Sequence, residues 1–353
     1  MKTTTNSQTK GKSQGGSLWQ SIFMDWDRVQ LVISFALLAL LALSPLVVKS
    51  PYYMSIIILT TLYIFTGISW NIIAGFSGQL LIAHISFLAF GAYTTFVLYI
   101  TYGITPWVGI FVGGVVAALL GLGMAFVTLR YGLKMDYFAL FSIALMVALK
   151  ALFLKWKFVG STIGLTISLG EPGFSKMIFD TKEPYLYIAL GLTVIGIMVQ
   201  YRLYHSKMGK YFLAIREDED AAAALGVNTS LYNTLALVIG GAMAGVGGGF
   251  YAMYVTHIEP PQVFDLGFNV EIMMAAPIIG GLGSLAGPVL GGVVNKPFAE
   301  FVRGFVAGGN PAVLPIVYGL FLISVILFLP RGLTGVVHDL YLKVRRRYTS
   351  NKA

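Results

Sequence analysis

The residues able to do chemistry in this chain are few, and they are poorly spaced for catalysis. There is no cysteine, which excludes a thiolate nucleophile, a thiolate metal site and a disulfide framework. The four histidines, His84, His205, His257 and His338, are scattered and show no metal-ligand spacing. Neither an H-E-x-x-H nor a G-x-S-x-G string occurs. Gly11-Lys12-Ser13 has the tail of a phosphate-binding loop, but Asn6 occupies the place of its earlier glycine, and no strand precedes it. The chain is therefore expected to lack a P-loop ATP site, a metal site and a cofactor of its own.

The most informative polar segment is 204–232, YHSKMGKYFLAIREDEDAAAALGVNTSLY. Within it Arg216–Leu225 reads as a short helix. Glu217, Asp218, Glu219 and Asp220 favour the positive end of a helix dipole. Four alanines follow, and Gly226 stands where a C-terminal cap is expected. The pattern leaves two readings open: a helix whose thin alanine surface another protein approaches, or the solvated connecting loop that most charge runs form.

Elsewhere, polar side chains interrupt apolar runs. Asn71, Gln79, His84 and Ser86 cluster around the glycines at 75–78, and Glu271 is an ionisable residue in an apolar stretch. Each needs a hydrogen-bond partner, a counter-charge or water. They are candidates for lining a solute pathway. The commoner fate of such groups is to fasten helices together. Glu271 either pairs with a lysine or lines a cavity.

The elements that position these residues are membrane spans. Charged residues make up only 11% of the chain and hydrophobic ones 57%. A soluble domain carries about 25% charged residues. Mean hydropathy is +0.79. These figures exclude a soluble enzyme, a disordered chain and a nucleic-acid binder, despite the net charge of +9. The fold class is an all-α polytopic membrane protein of about ten transmembrane helices, some broken or re-entrant. Spans of about 20 apolar residues fall at 29–48, 52–74, 79–100, 106–129, 136–154, 185–203, 231–256 and 312–329, and two more meet at a glycine turn within 268–308.

That last region fits least well, because Lys296, Glu300 and Arg303 lie inside the ninth span. Lys296 and Glu300 stand at i,i+4 and can pair; a re-entrant segment followed by a surface helix is the rival layout. In the seventh span, Gly241, Gly245 and Gly249 form one small face suited to close helix packing.

The flanks divide the chain into a polar tail at 1–28, a membrane domain at 29–330 and a basic tail at 331–353. In the first tail no secretory signal is visible. Trp19, Ile22, Phe23 and Trp26 there have the spacing of an interfacial helix, with a disordered tail as the alternative. Ten spans put both termini on one side. With that side cytoplasmic, 16 of the 24 Lys and Arg residues fall inside, as positive-inside bias requires.

Several stretches, in order, resemble one family. Asp220-Ala221-Ala222, three residues, then Gly226 is similar to the E-A-A-x-x-x-G coupling motif of ABC importer permeases, with Asp in place of Glu. NIIAGFSGQLLIAHISFLAFGAY (71–93), IIGGLGSLAGPVLGG (278–292), AIREDEDAAAALGVN (214–228) and PRGLTG (330–335) resemble segments of the high-affinity branched-chain amino acid permeases, the M-type subunit more than the H-type. Two strings depart from the pattern: Leu81-Ile82-Ala83-His84 stands for S-L-G-H, and 159–165 reads VGSTIGL.

The resemblance implies a non-catalytic translocation subunit in a bacterial inner membrane. Its partners would be two cytoplasmic ABC ATPases that use ATP and Mg, a second and different permease, an extracytoplasmic substrate-binding protein and the lipid bilayer, with no nucleic acid. The coupling helix would comprise Arg216, Glu217, Asp218, Glu219, Asp220, Ala221, Ala222 and Gly226. The outer loops 155–184 and 257–268 would meet the binding protein. Branched-chain amino acids are the expected cargo; urea or short amides, carried by related permeases, and a gradient-driven secondary carrier are the alternatives.

Overall fold

The computed structural model describes residues 14–132, 135–167, 171–306 and 313–350. Residues 1–13 of the polar N-terminal stretch, with the Gly11–Ser13 string, and Lys2, Lys10, Lys12, Lys134 and Lys352 of the charge bias lie outside the described residues.

Helices dominate, as an apolar medium requires when backbone groups have no water to bond. They are α1 (Gln14–Val47), α2 (Pro51–Trp70), α3 (Ile85–Tyr102), α4 (Pro106–Tyr131), α5 (Met135–Lys155), α6 (Glu183–His205), α7 (Lys207–Glu217), α8 (Glu219–Ala224) and α9 (Thr229–Val255). After these come α10 (Pro260–Val263), α11 (Leu266–Asn269), α12 (Ala275–Gly280), α13 (Gly287–Val306), α14 (Val313–Phe328) and α15 (Gly332–Ser350). Pro51 and Pro106 open α2 and α4, where a missing N–H costs nothing. Among the described residues, eight helices are long and apolar enough to cross a membrane.

Two expectations change in detail. First, α1 runs unbroken from Gln14, with no proline between Gln14 and Arg28 to separate 17–28 from the first span. Second, the third span begins at Ile85 rather than near Gln79. α2 continues through a π-helical turn, Asn71–Phe76, and Gly78 at φ 77° then reverses the chain. The segment 77–84 doubles back along α2, where Trp70 Nε1 donates to Leu81 O at 2.8 Å.

The described part of the 268–308 region is a hairpin of unequal arms. Its first arm, Leu266–Gly280, is shorter than the eight long helices and contains a second π-helical turn, Val270–Met274. Its second arm, α13, carries the three charges at Lys296, Glu300 and Arg303. Neither arm is a plain apolar span, so ten such helices are not present among the described residues. The arms pack backbone to backbone: a Cβ on Gly291 would stand 1.8 Å from Ala276 O.

α2 and α9 form the buried axis of the bundle. α9 lies against α3 and α4 through its glycine face. A Cβ on Gly245 would meet Ala117 Cβ at 2.5 Å and one on Gly249 would meet Thr95 Oγ1 at 2.5 Å. At one end of the bundle, two-residue strands β1 (Leu165–Thr166) and β2 (His257–Ile258) pair antiparallel and tie the loop after α5 to the loop after α9. At the opposite end lie α7 and α8, and the start of the α1 span meets α15 there, Trp26 packing on His338 and Tyr341.

A Cβ on Gly248 would lie 2.0 Å from Leu88 O, whereas one on Gly123 meets nothing within 4 Å. Gly248→Ala is therefore expected to cost about 1–3 kcal/mol in unfolding of the detergent-solubilised protein, the usual cost of overpacking. Gly123→Ala should leave the melting curve unchanged; equal effects would show that α9 does not sit this close to α3.

Candidate functional site

The polar segment after α6 folds as an elbow of two helices. Ser206 caps α7, its Oγ accepting from Gly209 N at 3.1 Å. Asp218 then takes an extended conformation (φ −161°, ψ 109°) and caps α8, its carboxylate accepting from Ala221 N at 2.9 Å. The helix thus begins at Glu219 and not at Arg216, because the Asp218 side chain competes for amides that a continuous helix would have to use internally. Gly226, at φ 86°, closes α8: its N–H donates to Ala223 O at 2.9 Å, and Val227 N donates to Ala222 O at 3.1 Å. Glu217, Asp218, Glu219, Asp220, Ala221 and Gly226 are exposed, Leu225 projects at 86% exposure, and Ala222 is buried.

Arg216, at the end of α7, has a different task from its acidic neighbours. Its Nη1 donates to Gly75 O at 2.6 Å, placing a cation on the carbonyl end of the α2 π turn, where the helix dipole favours it. A second link joins the elbow to the bundle. Asn233 Nδ2 donates to Glu219 Oε1 (3.0 Å), Ser77 Oγ donates to Asn233 Oδ1 (3.1 Å), and Gln79 Nε2 donates to Ser77 Oγ (2.8 Å) and Asn233 O (2.9 Å). These groups border a cavity of about 410 Å³ between the elbow and the ends of α2, α4 and α9. Asn233 was not singled out by the sequence, since one asparagine in the polar run at 228–234 carries no distinguishing signal.

Beside Gly75 lies the turn 281–286, between α12 and α13. Side chains from three helices satisfy its backbone. Gly283 N donates to Asn71 Oδ1 (2.8 Å), and Asn71 Nδ2 donates to Ser284 O (3.0 Å). Gln200 Nε2 donates to Ser284 O (3.1 Å) and Leu285 O (3.2 Å). Gln30 Oε1 accepts from Leu285 N (3.1 Å) and Ala286 N (3.2 Å). Gly332 packs on the same turn, where a Cβ would lie 2.3 Å from Gly281 N. Gln30 and Gln200 were missed from sequence; an amide inside an apolar span was the available signal.

The four polar residues expected around 75–78 are thus divided. Asn71 holds the 281–286 turn and Gln79 borders the elbow cavity. His84 and Ser86 lie further into the bundle and are fully buried. His84 Nε2 is 2.9 Å from Ser69 Oγ, while His84 Nδ1 and Ser86 Oγ have no partner among the described residues. Glu271 is held apart, 3.3 Å from Lys296 and 3.5 Å from Arg303. Lys296 and Glu300 are 2.7 Å apart, and Arg303 pairs with Glu300, so the charges that fitted badly in a single span neutralise one another across the hairpin.

The segments meeting around Gly75 and Arg216 are those with recurring glycine strings, and their match to known proteins is extensive. The family described as "Branched-chain amino acid transport system / permease component" matches residues 52–329. The chain belongs to this family. It is 27% identical to the high-affinity branched-chain amino acid transport system permease protein LivM of Escherichia coli, over 76% of this chain and 69% of that protein. The permease protein LivH of Salmonella typhimurium is 28% identical over a shorter stretch, 54% of this chain and 56% of its own. A probable LivH permease of Methanocaldococcus jannaschii is 24% identical over 71% of this chain and 81% of its own. The long match to LivM agrees with the M-type resemblance. No solved structure matches the chain significantly.

Asn71→Ala removes the side chain that joins both to Gly283 N and to Ser284 O. The expected cost is about 1–3 kcal/mol, the penalty for an unsatisfied buried group. Faster hydrogen–deuterium exchange is expected in peptides covering 281–286, with α9 unchanged. Unaltered exchange in the turn would show that Asn71 does not hold it.

Proposed function

We propose that this chain is the M-type transmembrane permease subunit of a binding-protein-dependent ABC importer. It moves amino acids, branched-chain ones foremost, across a bacterial inner membrane by alternating access. It catalyses nothing itself; two separate cytoplasmic ATPase subunits use ATP and Mg, a second and different permease completes the pathway, and an extracytoplasmic binding protein delivers the cargo. In this reading the eight long helices and the two arms of the hairpin make ten crossings with both termini cytoplasmic. The packing of Trp26 on His338 and Tyr341, which brings the start of the α1 span and α15 to the elbow's side, supports that layout, as does the Lys and Arg bias.

The observation that carries the reading is the elbow's construction. The end of α7 and α8 with its caps present Glu217, Asp218, Glu219, Asp220, Ala221 and Leu225 outward, a compact projection for an ATPase groove. Behind it, Arg216 and the Glu219–Asn233–Ser77–Gln79 chain tie that projection to the end of α2 and the 281–286 turn. Displacing α8 therefore displaces the ends of membrane helices, the rigid-body lever that alternating access needs. Gln79, His84, Ser86, Asn71 and Glu271 remain the candidates for the pathway, with Gln79 at its elbow end. The β1–β2 ladder at the far end gives the binding protein a fixed platform.

A secondary carrier is the competing class, and the Glu271–Lys296–Glu300–Arg303 cluster is the feature that favours it, since carriers use buried ionisable groups. Reconstitution with candidate ATPases and a binding protein separates the two. ATP hydrolysis stimulated by loaded binding protein, with cargo uptake, supports the importer; uptake by the chain alone, driven by an ion gradient, supports the carrier.

Proline cannot adopt the φ of 86° at Gly226, and it deletes the N–H that closes α8. Gly226→Pro is expected to leave membrane insertion intact and ATP hydrolysis running while uptake falls by about tenfold or more, a loss of over ~1.4 kcal/mol of coupling. Normal transport by that variant would rule out α8 as the lever.

A further inference from the structure

The hairpin carries four charges, and one of them, Lys296, stands at the depth where a bilayer tolerates charge least. Lys296 Nζ lies 5.0 Å from the centroid of the Tyr63 ring, and Tyr63 is midway along the Pro51–Phe76 span. Two acids and two bases alternate around it. Lys296 is 3.3 Å from Glu271 and 2.7 Å from Glu300; Arg303 pairs with Glu300 and lies 3.5 Å from Glu271. The group is neutral as a whole, which lets it persist in an apolar setting.

Its members differ in access. The Lys296 side chain is 3% exposed and locked between its two carboxylates, whereas the Arg303 side chain is 47% exposed. A half-open guanidinium facing acyl chains is costly, so this face belongs on a hydrated surface. Under the permease reading that surface would be the pathway shared with the second permease. α13 runs antiparallel to α2: its start lies at the elbow end, by Gly281, and Gly292 packs on Ile64. Arg303 is seven residues beyond Lys296, roughly 10 Å further from the elbow, on the side from which cargo arrives. The π turn Val270–Met274 carries Glu271, and Asn295 Nδ2 fixes its backbone by donating to Glu271 O at 2.7 Å. Such turns interrupt a helix to aim a side chain and recur at functional sites.

We propose that Arg303, Glu271 and Glu300 form a docking point for a zwitterionic α-amino acid within the permease. The guanidinium fork takes the cargo carboxylate, and a carboxylate it releases takes the cargo ammonium. The exchange conserves charge, since a neutral ligand with one charge of each sign replaces one internal ion pair by two external ones. Urea or a short amide has no charge with which to break the internal pair. The proposal rests on the permease reading and deepens it by selecting amino acids over amides.

The test uses proteoliposomes holding the full complex of both permeases, ATPases and binding protein, with a branched-chain amino acid as probe. Arg303→Gln is expected to lower uptake by about tenfold or more, the effect of losing a charge-assisted contact, and to lower the melting temperature as well, because it leaves the cluster with one unbalanced negative charge. Arg303→Lys keeps the cluster neutral and so should melt as the wild type does, but it lacks the fork that takes the carboxylate, and its uptake is expected to fall by about tenfold. Wild-type uptake by either variant overturns the docking point. A fall in uptake by Arg303→Lys that comes with a lowered melting temperature also overturns it, because it marks a structural role alone. If the wild-type complex moves a neutral amide and no amino acid, or transports without ATP, the permease reading itself fails, and the docking point with it.

Discussion

A turn of backbone in a membrane protein has to find hydrogen bonds without relying on bulk water, and the rest of this architecture is arranged around one such turn. Residues 281–286 are partly buried and non-helical: Gly281 N and Ala286 O still bond to Pro277 and Leu290 of the flanking helices, but the groups between them need other partners. Gln30 from α1, Asn71 from the end of α2 and Gln200 from α6 supply them. Three helices distant in sequence are thereby pinned to one point. Glycine makes the approach feasible: Gly281 and Gly283 adopt φ of 121° and 78°, and a side chain on either would collide with Thr334 or Arg216.

Arg216 connects this fixed point to the surface. Its guanidinium bonds Gly75 O beside the turn, while the next residues form the exposed α8. A force on α8 therefore has two short routes inward, one through Arg216 and one through Glu219, Asn233 and Ser77. The glycine faces of α9 serve the same end in another way. Backbones of α3, α4 and α9 approach so closely that the three helices behave as one packed block, which a lever can move without dissipating the motion in side-chain rearrangement.

The charged hairpin is a second solution to the same solvent problem. Lys296, Glu300 and Arg303 on one arm and Glu271 on the other are each intolerable alone in hydrocarbon, but together they cancel. The cluster holds the two arms of the hairpin together, and its half-open arginine gives it a face that a charged solute can address.

Much of this was legible in the residues. Apolar runs of about 20 residues located the long helices within a few positions, the starts of α1 and α3 apart, because burial of backbone in lipid leaves little choice but helix. Gly226 as a C-cap, the close-packing face of Gly241, Gly245 and Gly249, and the Lys296–Glu300 pair also followed from local spacing. Local pattern failed where partners come from afar. Nothing near Asp218 in sequence says that it breaks the helix. The glycines at 75–78 mark the reversal, but nothing near Ser77 says that 77–84 stays non-helical, or near Gln30 that it bonds residue 285. Sequence determined which segments must leave water, since that depends on composition over one helix length. Tertiary structure alone decided which polar groups meet inside, because in an apolar interior each is satisfied by whichever element packing brings within 3 Å or so, not by its neighbours along the chain.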